Sequence, residues 1–164
     1  MFPCPKTVCA TLALALFSVG CAHPPDPMDL PAGDATALVN DTEWSTSGAE
    51  WLWSGTTLQI TFPRADGWSF TVVAKRDADG ESVWDSVEAE AFPVEVPLGQ
   101  EGTGFAIVYP QEGGSLTTSG TPGSVTVMGV EGSSLYATFD FSASSEDQGI
   151  EVLEGQVHGE QFEM

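Results

Sequence analysis

From Ala37 onward the apolar residues recur at every second position, in short runs that end at glycine-rich turns. In "TTLQITF", Leu58, Ile60 and Phe62 fall on one side of an extended chain, with Thr57, Gln59 and Thr61 on the other. That is the period-two signature of a half-buried strand. The run "WSFTVVA" repeats it with Trp68, Phe70 and Val72. No stretch shows the i, i+3, i+4, i+7 spacing of an amphipathic helix. Asp66-Gly67 in "PRADG" and Asp79-Gly80 in "KRDADGE" are tight-turn dipeptides, so three strands joined as a meander are predicted here. Further strands are predicted at 37–44, 104–109, 124–130, 135–143 and 150–158, with "PQEGG", "GVEGSS" and "SSEDQG" as turns. In the last two strands Leu135, Ala137, Phe139 and Phe141 share one face, and Leu153, Gly155 and Val157 close the pattern in phase. So many short strands predict an all-β domain over residues 37–164: a single antiparallel β-sandwich, with a β-barrel as the alternative.

The segment ahead of that domain follows a different rule. Residues 1–20 carry Lys6 as their only charge, followed by an apolar run from Leu12 to Val19, the layout of a secretory signal peptide. The run is shorter than the roughly 20 residues of a membrane-spanning helix. Of the three cysteines, Cys4 and Cys9 lie inside the leader, so cleavage before Cys21 leaves one thiol at the first position of the mature chain. An exported lone thiol invites oxidation or intermolecular pairing, which a lipid on sulfur prevents. Residues 21–36 then hold four prolines in "AHPPDPMDLPAGDA" and read as an extended tether. At about 3 Å per residue this tether would reach some 30 to 40 Å.

"SVGCA" resembles a bacterial lipoprotein signal: Val19, Gly20 and Cys21 fit the lipobox, with Ser18 where leucine is usual. The resemblance implies an acyl (palmitate-type) membrane anchor at Cys21, and Ala22 in the next place implies the outer membrane. The alternative is a leader cut after Ala22 and a soluble secreted or periplasmic protein. In the body, "GSVTVMGVEGSSLYATFDFSA" and the final "VLEGQV" strand resemble a family of uncharacterised bacterial lipoprotein β-sandwich domains, marked by G-x-V-T-V, G-T-F-x-F-x-A and G-x-F strands. Ala137 replaces the usual glycine and Val157 the usual phenylalanine. The resemblance implies an envelope β-sandwich and transfers no catalytic residue.

Charge narrows the partners. After residues 1–20 the chain holds three basic side chains (Arg64, Lys75, Arg76) against 24 acidic ones, a formal charge of −21. Nucleic acid is excluded as a partner, since it selects clustered Lys and Arg. Only two histidines, His23 and His158, are present, and no G-x-S-x-G elbow or P-loop occurs. Zinc lacks ligands. For calcium, Asp77, Asp79, Glu81, Asp85 and Glu88 occupy places 1, 3, 5, 9 and 12 of a twelve-residue loop, although glycine falls at place 4 instead of 6; the competing reading is a solvated acidic hairpin. All five tryptophans lie between residues 44 and 84, and Trp51 and Trp53 of "EWLW" would share a face when extended. Exposed and coplanar, that pair would stack on sugar rings; buried, it fills the core. These readings lead to a non-catalytic, lipid-anchored envelope protein with a binding or structural role. A carbohydrate- or calcium-binding module is the alternative, and an acidic hydrolase the third reading.

Overall fold

The computed structural model describes residues 26–118 and 122–162, and in them strands dominate. The strands are β1 (Asp34–Val39), β2 (Thr42–Ser47), β3 (Glu50–Ser54), β4 (Thr57–Ala65), β5 (Trp68–Ala74), β6 (Val94–Pro97), β7 (Gly104–Pro110), β8 (Leu116–Thr117), β9 (Gly123–Glu131), β10 (Ser134–Ser144) and β11 (Gly149–Gln161). One short helix, α1 (Val83–Glu88), interrupts them.

The all-β expectation holds. One layer runs β2-β1-β11-β10-β9-β6 and the other β3-β4-β5-β7-β8. Every pairing is antiparallel except one: Glu160 and Gln161 at the end of β11 run parallel to Glu50 and Trp51 of β3. That contact joins the layers along one seam, and Ser144 of β10 against Thr117 of β8 joins them along the other. The ladder is therefore one continuous mixed sheet folded over its own core.

The core follows from the alternation. Leu58, Ile60 and Phe62 point inward from β4, Phe70 and Val72 from β5, and Leu135, Ala137, Phe139 and Phe141 from β10, all at most 2 % exposed. Phe62 meets Phe139 across the layers at 4.9 Å between ring centroids, and Trp44 of β2 sits edge-on to Phe70 at 4.6 Å. Such aromatic pairs add to area burial because ring edges and faces carry opposite partial charge. On its open side, β2 is tied to the end of β4 by side chains: Trp44 Nε1 donates to Ala65 O at 2.9 Å and Thr46 Oγ1 to Pro63 O at 3.1 Å. These bonds cover an edge that would otherwise offer a free backbone ladder.

Four local expectations are corrected. The predicted strand 37–44 is two strands, β1 and β2, because Asn40 and Asp41 adopt φ of 48° and 61° and turn the chain back on itself. The meander is β3-β4-β5. Asp79-Gly80 does reverse the chain, closing with an Arg76–Ser82 bridge, but α1 follows and β5 pairs with β7 instead. Leu153 lies outside the core, 37 % exposed, because a bulge between the Val152 and Gly155 pairings shifts the phase of β11. At Gly155 a Cβ would stand 2.3 Å from the Phe139 ring, so glycine is what lets the strand close on that side chain.

The last correction concerns the tether. Its residues 26–36 belong to the fold. Asp26 caps a short 3-10 turn at Pro27–Asp29, Pro27 is buried, and Asp34 opens β1. His158 secures this segment. Its Nδ1 lies 2.7 Å from Leu30 O, and its Nε2 lies 3.0 Å from Ser134 Oγ. Since a carbonyl only accepts, Nδ1 carries the proton. The signal peptide, Cys21 and His23 lie outside the described residues.

Candidate functional site

Asp66 and Gly67 have φ of 46° and 85°, the paired positive values that suit a two-residue hairpin turn to the twist of its strands. Arg64 Nη1 donates to Gly67 O at 3.3 Å and braces the turn. The turn delivers Trp68, which pairs with Ala65 and with Pro110 at the end of β7. Trp68 continues the inward row of Phe70 and Val72, so one part of its ring packs on the core while the rest reaches the rim. Beyond Pro110 the chain turns through Gln111 and Glu112, and Gln111 Oε1 lies 3.4 Å from where a Cβ on Gly67 would stand. From the other layer the β10–β11 turn, closed by Ser145 N to Gln148 O at 2.8 Å, brings in Gln148 and Gly149.

Three loops from both layers thus line a solvent-open groove of about 470 Å³ at one end of the sandwich. This lies within the usual range for small-ligand sites. Its polar lining is Asp66, Glu112, Gln111 and Gln148, and its aromatic wall is Trp68. The arrangement offers a fixed flat ring, two carboxylate acceptors, and two amides that both donate and accept.

The residues singled out by sequence lie elsewhere. Trp51 and Trp53 share a face, as their spacing predicts, but it is the inner one: they pair with Ile60 and Leu58 of β4. Trp51 is 3 % exposed and its Nε1 donates to Ser133 O at 3.0 Å. The two indoles stand at 85°, and Trp53 meets Trp84 of α1 at 89°. The exposed coplanar pair that would stack on sugar is not formed. In the acidic loop, Asp77 Oδ1 is engaged by the backbone N–H groups of Asp79 and Glu81 at 3.0 and 2.8 Å. Asp85 and Glu88 follow on α1. Among the described residues no three His, Cys, Asp or Glu side chains are grouped to hold a metal ion. His158 ties the N-terminal segment to β11 and β10, at the far end of β11 from the groove.

The groove itself was missed by reading along the chain, since its residues come from 66–68, 110–112 and 148–149. The one local signal was a tryptophan directly after an Asp-Gly turn. Comparison with known proteins returns no match: no family model fits the chain, and no curated protein or solved structure is detectably similar.

Proposed function

We propose that this chain is a non-catalytic, lipid-anchored protein of the bacterial cell envelope that works by binding, with Cys21 as the acylated residue and the loop-end groove as the binding surface. The observation that carries the reading is the placement of the two ends. Leu30 is held at His158, near one end of β11, while Gly149 at the other end of the same strand lines the groove. At about 3.3 Å per residue these points are some 30 Å apart. A domain anchored through its N-terminal segment would present such a groove away from the anchor.

The anchor reading rests on the leader, the single thiol left after cleavage, and the resemblance of "SVGCA" to a lipobox. The described fold sharpens it. Cys21 stands five residues before Asp26, the first described residue, so its backbone lies at most about 18 Å from Asp26. This is a shorter leash than a free spacer of residues 21–36. Ala22 favours the outer membrane as the place of attachment. Intact mass of the protein extracted from membranes in detergent tests the reading: a chain beginning at Cys21 and carrying acyl groups supports it, and an unmodified soluble chain beginning at His23 overturns it.

A further inference from the structure

Resting on the binding reading above, we propose that the ligand of the loop-end groove is a neutral oligosaccharide, one ring of which stacks on Trp68 while its hydroxyls bond Asp66, Glu112, Gln111 and Gln148. Each part of the lining narrows the class. Two carboxylates, and no lysine or arginine among the lining residues, reject phosphate, sulfate and uronic acids. Calcium takes six to eight oxygens and would leave the Trp68 ring without a role. A cation would be served by carboxylates and an indole face, but it uses acceptors only. The amide N–H₂ groups of Gln111 and Gln148, both exposed, would then bond water and add nothing to recognition.

A sugar ring uses the whole set. Its hydroxyls donate to the carboxylates and accept from the amides, and its C–H face lies on the apolar indole. Trp68 suits this work because its inner part is packed against the core, so little rotamer freedom is lost on binding. The hairpin that carries it is fixed by the Asp66-Gly67 turn and by Arg64.

The test is calorimetric titration of the full-length, detergent-extracted protein with cello-, laminari-, malto-, manno- and chito-oligosaccharides, and separately with an oligolysine peptide. At least one neutral oligosaccharide should bind with a dissociation constant of about 1 mM or tighter. Trp68→Ala should weaken it roughly tenfold, and Gln111→Ala and Gln148→Ala roughly threefold each. The two glutamine variants lie in loops and should keep the wild-type melting temperature, which preserves the test if Trp68→Ala fails to fold. Absence of binding by every oligosaccharide up to about 10 mM, or binding of oligolysine alone, overturns the inference. An acylated chain that binds no sugar would do so while leaving the envelope reading intact. Cleavage of a bound oligosaccharide would uphold the ligand class and overturn the non-catalytic reading.

Discussion

The outer faces of the two layers are chemically unlike. On the layer β3-β4-β5-β7, the outward positions of β4, β5 and β7 include Gln59 and Thr61, Ser69, Thr71 and Val73, and Phe105, Ile107 and Tyr109, with no carboxylate among them, and Glu50 at the start of β3 is the carboxylate at the edge of this face. The charge beside this face is Lys75, whose Nζ lies 5.5 Å above the Phe105 ring. On the layer β1-β11-β10-β9-β6 the outward positions include Asp34, Glu95, Asp140, Glu151 and Glu160. Along the sequence the acidic residues look evenly scattered, yet of those that fall at outward strand positions, strand alternation and register put most on this face. Composition describes how much charge a chain carries; register decides where its field points.

This contrast can be broken at graded cost. The largest effect is expected at Phe62, which touches Phe139 of the acidic layer and Phe70 of its own. Phe62→Ala should cost about 3 to 5 kcal/mol by thermal or denaturant unfolding, in one transition if both layers depend on one core. Two separated transitions would show that the layers melt independently. Gly155→Ala starts inside the acidic layer, driving a methyl into the Phe139 ring, and should cost about 1 to 3 kcal/mol. Next comes His158→Ala, which removes the contacts to Leu30 and Ser134 and should cost about 1 to 2 kcal/mol. Amide exchange should quicken over residues 26–33 and stay unchanged on β4, β5 and β7.

The smallest effect concerns the acidic face itself. Partial burial raises the Asp140 pKa and Glu95 raises it further, against a hydrogen bond from Ser124 that lowers it. A raised folded-state pKa means that the native state holds this proton more tightly than the unfolded chain does. Below the unfolded value both states are protonated and nothing is lost; as pH rises through the window up to the folded value, stability falls, and it stays lower above. Asp140→Asn keeps an acceptor for Ser124 and should raise the melting temperature slightly at about pH 7, with no difference at about pH 3. A gain of equal size at both pH values would show that charge is not the cause.

Much of the fold was legible because burial imposes a period of two. Leu58, Ile60 and Phe62 could be assigned a common face from spacing alone, and Asp66-Gly67 a turn. Most illegible parts share one cause, dependence on a partner strand, and α1 has another, its length. The bulge that expels Leu153 is set by what β11 must oppose on β10. The six residues of α1 are too few to display helical periodicity. Spacing put Trp51 and Trp53 on one face, but which face looks inward is a property of the whole sandwich. The groove is the extreme case, since Trp68, Glu112 and Gln148 become neighbours only when both layers are in place.

β11 pairs with β10 along almost its whole length and holds β1 and β3 on its other edge. It is also the last of the eleven described strands to be synthesised. Until it arrives, β1 and β2 lack the strand that binds them to the rest, and the β3 seam stays open. Synthesis order is therefore coupled to folding: β1 to β10 can all be made and still stay unlocked until β11 is free to pair with them.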